Sequence, residues 1–200
     1  MSDLPYSQAC ENNRDYIFEV LKSAFADQVK VLEIGSGTGQ HACYFAQRMP
    51  WLRWQPSDLP ENLLNLHARC RAFTGTNLAP EVALDVAQDP WPLVIPEAIY
   101  TANTFHIMPY AAVQRLFAML DREAADGTVL AVYGPFNYGG QYTVDSNARF
   151  DEWLAQQNPL SAIRHFESVN ELAASAGFVL QSDNTMPANN RLLVWQRRIG

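Results

Sequence analysis

The stretch VLEIGSGTGQHA, Val31 to Ala42, sets an acid, Glu33, at the end of an apolar run and follows it with Gly35, Gly37 and Gly39. A strand that stops at glycines and restarts as a helix leaves unpaired backbone N–H groups converging on one spot, which suits a bound ligand. A dinucleotide loop would read G-x-G-x-x-G, whereas here the glycines alternate and position 40 is Gln40.

Glu33 discriminates further between ligands. A carboxylate at the end of this strand repels a pyrophosphate held at the next helix but attracts a ligand bearing an ammonium and a sulfonium. The carboxylate of that same ligand would meet the loop N–H groups. S-adenosylmethionine (SAM) has those groups, and glycines let backbone approach it without interference from Cβ. Asp58, at the end of the next strand, is placed to accept hydrogen bonds from ribose hydroxyls.

Other residues offer acceptor-side chemistry. In NTFHIMPY, His106 titrates near neutrality and can take a proton from an oxygen, nitrogen or sulfur nucleophile, with Asn103 beside it. Arg14, next to Asn13, can hold a carboxylate by a bidentate contact. Tyr133, Phe136, Tyr138 and Tyr142 form an aromatic cluster whose ring faces favour a cation, and Gly139 with Gly140 predicts a mobile loop or lid there. No metal site is expected, because His41, His67, His106 and His165 have no i, i+4 partner. A G-x-S-x-G elbow and a P-loop lysine are also lacking, so hydrolase and triphosphatase chemistry have no residue to carry them.

Charge and composition narrow the setting. At 200 residues and 48% hydrophobic the chain can bury one substantial core, and residues 1–200 are expected to form a single domain. A net charge of -7 argues against nucleic acid as partner and leaves a small-molecule acceptor. The pairs Arg69 with Arg71 and Arg197 with Arg198 are expected to be solvated surface. Acidic and basic residues interrupt the N-terminal segment, and no run of about 18 uncharged apolar residues occurs, so no membrane span or export signal is expected. Cys10, Cys43 and Cys70 are odd in number and lack a C-x-x-C pair, which predicts reduced cytoplasmic thiols.

The elements that must position these residues follow from periodicity. Helical spacing of Ile17, Val20, Leu21 and Phe25 predicts a first helix over 7–25. A buried strand over 29–34 leads into a helix over 38–49 that Pro50 ends. A strand over 52–55, closed by Pro56, precedes Asp58 in a loop and a helix from Pro60 to about residue 72. Strands are expected over 82–86, 98–102 and 128–133, with a helix over 109–122 between the last two. Helices over 146–157 and 168–176 follow, the second opened by a Ser168 and Glu171 capping box and ended by Gly177. Runs over 178–183 and 191–196 should pair antiparallel. Strands alternating with helices predict an α/β, Rossmann-like doubly wound, mostly parallel sheet with a C-terminal antiparallel hairpin.

LEIGSGTG resembles the first motif of class I SAM-dependent methyltransferases, and the succession of elements is similar to their seven-stranded sheet across essentially the whole chain. More narrowly, CENNRDYIFEVL, VLEIGSGTGQHA, WQPSD, ALDV and ANTFHIMPY together resemble a small family of uncharacterised methyltransferase-like proteins found in bacteria and animals. The resemblance implies that Glu33, Gly35, Gly37 and Gly39 hold the methionine part of SAM, with Asp58 and the adjoining Leu59 on the ribose. It also implies Asp85 and Val86 beside the adenine and Asn103 bordering the methyl group. Methyltransferases acting on exocyclic amines of DNA carry two prolines after an Asn or Asp at this point, whereas Asn103 is followed by Thr104 and Phe105.

A SAM-dependent methyltransferase acting on a small molecule is the function these observations favour. A SAM-binding protein without turnover, acting as a sensor or partner subunit, is an alternative. A nicotinamide-dependent oxidoreductase on a related fold is another, which Glu33 and the spacing of Gly39 oppose.

Overall fold

The computed structural model of the chain describes residues 4–198. In chain order the elements are α1 (Gln8–Ala24), β1 (Lys30–Ile34), α2 (Gln40–Arg48), β2 (Arg53–Asp58), α3 (Leu63–Ala72), β3 (Val82–Ala83), β4 (Ala98–Ala102), α4 (Tyr110–Glu123), β5 (Val129–Gly134), β6 (Phe136–Asn137), α5 (Asp145–Gln157), β7 (Arg164–His165), α6 (Phe166–Ser175), β8 (Phe178–Thr185) and β9 (Arg191–Arg197). Short 3₁₀ turns occupy Pro60–Asn62 and Pro187–Asn189.

A seven-stranded sheet runs β3-β2-β1-β4-β5-β9-β8. Its pairings are parallel except where β9 lies antiparallel between β5 and β8. This is the α/β, Rossmann-like arrangement with a closing hairpin that the sequence predicts. Because β1, β4 and β5 are covered on both faces, they read as nearly continuous apolar runs rather than alternating ones. Alternate residues of these strands serve two cores. Val31, Tyr100 and Ala131 pack with Ile17 and Leu21 of α1, Phe25 just after it and Phe45 of α2. Leu32, Ile99 and Leu130 pack on the other face with Leu116 and Leu120 of α4 and Val169 of α6.

Order reverses where β1 has β2 on one side and β4 on the other. In such sheets the ligand crevice lies beyond the carboxyl ends of the strands at that switch point.

Four expectations are corrected. Pro56 does not close β2 but sits inside it, paired with Glu33, and the strand reaches Asp58. Trp54 bonds to the β3 side through both its N–H and its C=O. Strand alternation turns Pro56 to that same side, where β3 begins only opposite Ser57, so the missing N–H has no partner to lose. The third strand is only Val82–Ala83, since Leu84 onward bends into turns. Helix α6 starts at Phe166, directly after β7 pairs with β6, which leaves Ser168 inside the first turn and the capping box unformed.

The last correction concerns arginines. Arg197 is 9% exposed and donates to the carbonyls of Leu120 and Asp121, tying β9 to the end of α4. Arg69 is part-buried and donates to the carbonyls of Thr38 and Pro5. The aliphatic stems and forked donors of these arginines are used inside the fold.

Candidate functional site

All three glycines of the loop lie at positive φ, with Gly35 at +72°, Gly37 at +54° and Gly39 at +73°. At Gly35 a Cβ would stand 2.4 Å from Thr104 Cγ2, so the loop could not pass the end of β4 with any side chain there. At Gly37 a Cβ would meet no protein atom within 4 Å, because that residue faces open space.

The acid at the end of β2 fixes the loop. Asp58 Oδ2 accepts from Gly37 N at 2.6 Å, while Oδ1 accepts from Leu59 N at 2.8 Å and Asn62 Nδ2 at 2.7 Å. Ser57 Oγ donates to Glu33 O at 2.7 Å, and Ser36 N donates to Ser57 O at 2.9 Å. The acid at the end of β1 is 2% exposed and accepts from Trp54 Nε1 at 2.7 Å. Burial pushes the Glu33 carboxyl up to about 7, with the Asp58 charge adding and the hydrogen bonds from Trp54 and Ser36 opposing.

These residues border a cavity of about 1160 Å³ beyond the ends of β1, β2 and β4. Glu33, Gly35, Gly37, Asp58, Leu59, Asp85, Val86 and Asn103 line it together, although they come from four separate stretches of chain. Asp85 also closes its own turn, accepting from Ala87 N at 2.9 Å and Gln88 Nε2 at 3.3 Å. Asn103 holds φ +58° while its N–H donates to Tyr133 O at 2.9 Å. An asparagine in the left-handed region at a strand end is a sparsely populated conformation of the sort found at ligand sites.

Three predicted site residues lie elsewhere. Gly39 caps α2, turned toward Leu66 and Arg69, and supports the loop without lining the cavity. Arg14 pairs with Glu11 at 2.6 Å and lies 4.7 Å over the Tyr44 ring. His106 is 5% exposed, packed edge-on to Phe150 and against Gly134, away from the cavity. Burial, then the nearby Arg164 charge, lowers its pKa to about 4, with Asp151 opposing. Its placement follows from Arg164, which donates to Phe105 O at 2.8 Å and Leu160 O at 3.0 Å and also holds Met108 O. That clamp and the Ala162 N to His106 O bond at 3.0 Å turn the ring inward.

The aromatic cluster does not line the cavity either. Tyr138 stacks on Phe166 at 5.1 Å and donates to Asp183, Gly139 N donates to Glu167, and Tyr142 donates to Asp151. The loop expected to be a lid is fastened to β8, α5 and α6 at these points.

Unforeseen residues complete the wall: Ser7 and Cys10 at the start of α1, His41 on α2, Ile107, Met108 and Arg115 around α4, and Asn158 after α5. Gln40, at the place where a dinucleotide loop has its last glycine, brings α1 there. Its side chain accepts from Ser7 N and donates to Ser7 O and to Glu11. His41 Nε2 lies 2.7 Å from Asn13 Oδ1 and donates to it, leaving Nδ1 to accept from Tyr100 Oη at 3.2 Å. Burial holds its pKa at about 4, with the Cys10 carbonyl opposing and Arg14 adding to the shift. The sequence carries one signal of this in Asn13, the neighbour of Arg14, which orients His41.

Residues 4–197 match a family described as "Protein of unknown function (DUF938)". The chain belongs to that family. Solved structures share the fold at low identity. An O-methyltransferase family 2 protein from Planctomyces limnophilus, in complex with apigenin, matches with a TM-score of 0.81 at 19% identity, over 95% of this chain and 58% of its own. An O-methyltransferase family protein from Burkholderia thailandensis matches at 0.79 and 14%, over 93% and 56%. Human N-acetylserotonin methyltransferase, in complex with SAM, matches at 0.74 and 15%, over 93% and 55%. The chain thus spans a little over half the length of the structures it resembles. The DUF938 chain shares their class I methyltransferase fold, and no helix among its described residues is long and apolar enough to cross a membrane.

Proposed function

We propose that the chain is a SAM-dependent methyltransferase acting on a small-molecule acceptor. The observation that carries this reading is the pairing of two carboxyls, Glu33 and Asp58, with a glycine loop at the mouth of one cavity. That donor set fits SAM: Glu33 faces an ammonium, Gly35 and Gly37 leave room for the methionine part, Asp58 and Leu59 meet the ribose, and Asp85 and Val86 border the adenine. When bound, the cofactor supplies an electrophilic methyl group on sulfur.

Asn103 then stands next to the methyl position. Pockets that take one drug-sized ligand span about 300 to 1,000 Å³, so a cavity of about 1160 Å³ leaves space for an acceptor beside the cofactor. Enclosing both in one walled space aligns the reactants and excludes water, and neither effect requires an essential acid or base. The three cysteines, none in a disulfide, fit action in the cytoplasm.

Titration calorimetry with SAM, S-adenosylhomocysteine and NAD tests the assignment. Saturable binding of the two sulfur compounds without NAD supports it; preference for NAD removes it. Release of S-adenosylhomocysteine during incubation with cell metabolites separates turnover from simple sensing.

A further inference from the structure

We propose that the acceptor is an uncharged nitrogen base on an apolar frame, held beside Asn103, and that it leaves the site as a cation. This rests on the methyltransferase reading above and adds the class of acceptor to it.

The charge of the wall points first. Carboxyls of Glu33, Asp58, Glu61 and Asp85 line the cavity, and among the described residues its one guanidinium is Arg115. Arg115 lies near enough to Asp89, just past Gln88 in the loop after β3, for its charge to act on that carboxyl. A cleft of one sign concentrates ligands of the other and repels its own. Acceptors bearing a carboxylate or phosphate meet that repulsion.

Proton demand points next. A phenol or alcohol must lose its proton to become a good nucleophile, so its site needs a free base. His41 is the lining histidine, and both its ring nitrogens are engaged, by Asn13 and Tyr100. Of the lining carboxyls, Glu33 is held by Trp54, Asp58 by Gly37, Leu59 and Asn62, and Asp85 by Ala87 and Gln88, while Glu61 is solvent-exposed in the turn directly after Leu59, with the ribose residues and not beside Asn103. A neutral nitrogen needs no base. Its lone pair forms the N–CH₃ bond as the S–CH₃ bond breaks, the bonding pair stays on sulfur, and the positive charge passes from sulfur to nitrogen. The cavity holds the same total charge before and after, so carboxyls that favour the sulfonium also favour the product.

Asn103 supplies orientation. Its side chain has no hydrogen-bond partner among the described residues, leaving the amide oxygen free to accept an N–H or to face a developing cation. Ile107, Met108 and Pro109 follow it along the wall and provide apolar surface for the frame.

Three probes of one bicyclic shape test this: N-methylisoquinolinium as cation, 2-naphthol as neutral oxygen compound and 2-naphthoate as anion. Each is titrated into the full chain saturated with S-adenosylhomocysteine, whose own binding is measured first. The expected order is cation, then neutral, then anion, with the cation about tenfold tighter than the anion at low salt and the gap narrowing as salt is raised. Equal affinities, a preference for 2-naphthol or 2-naphthoate, or binding of none overturns the nitrogen-base assignment and leaves the cofactor site standing. Failure of S-adenosylhomocysteine to bind removes both readings.

Discussion

Asp58 and Gly37 are joined across the switch point of the sheet, the carboxylate of one accepting the backbone N–H of the other at 2.6 Å. Asp58 therefore shapes the glycine loop before any ligand arrives, and the same carboxylate is the group offered to a ribose. Asp58→Ala should weaken SAM binding by about 1 to 3 kcal/mol, through lost charged hydrogen bonds and a loosened loop. Calorimetry on the purified variant measures this, and unchanged affinity would remove Asp58 from the site.

Gly37 and Gly35 should fail in different ways. A side chain at Gly37 meets open space beside the cavity, so Gly37→Val should abolish SAM binding while circular dichroism shows the sheet intact. At Gly35 the added Cβ collides with Thr104. Gly35→Ala should lower stability by about 1 to 3 kcal/mol, read from urea midpoints, because a strained backbone is joined to a clash.

Glu33 makes binding sensitive to pH. Its folded value near 7 stands above its ordinary 4.5, so the folded state holds the proton more tightly. That contribution to stability is complete below pH about 4.5 and is lost as pH rises to about 7. A cationic ligand favours the ionised carboxyl, so SAM affinity should rise between about pH 6 and 8, as the carboxyl ionises around its folded value near 7. Glu33→Gln should flatten that rise and leave the ligand-free protein at least as stable at pH 8; a steep rise in the variant would assign it to another group.

His106 carries the opposite dependence. Its folded value near 4 lies below its ordinary 6.5, so its contribution is present above pH 6.5 and is lost as pH falls through that window. His106→Gln should remove up to about 3 kcal/mol of the acid sensitivity between those limits, seen as a shallower fall in urea midpoint. Because the ring lies outside the cavity, SAM affinity at pH 8 should stay within about twofold of the parent, a change near 0.4 kcal/mol.

Arg164 holds the loop that carries Ile107 and Met108 by two carbonyls, those of Phe105 and Met108, and also donates to Leu160 O on its own stretch of chain. Arg164→Met removes their donor, with the Phe105 bond fully buried, and should cost about 3 kcal/mol. Unfolding in urea measures the loss; an unchanged midpoint would show that the clamp contributes nothing.

What could be read beforehand was local. Val31 to Gly39 announces a strand, an acid and a turn within nine neighbouring positions, because apolar spacing and glycine conformations act over that range. Asp58 was legible for the same reason, as an acid just past a strand. Pro56 misled because its effect depends on whether a neighbouring strand lies opposite, which only the sheet decides. His106 misled more deeply: a histidine after a strand looks reactive, but its direction is set by Arg164, far along the chain. The contribution of α1 to the cavity wall hid likewise in the contacts of Gln40 with Ser7 and Glu11.

Among the described strands β9 comes last in chain order, yet it lies inside the sheet, between β5 and β8. While Arg191–Arg197 is still in the ribosome tunnel, β5 has a bare edge and the core lacks Leu193 and Trp195. This half of the sheet therefore closes only once β9 is free to insert, and until then the open β5 edge is a template for pairing with other chains.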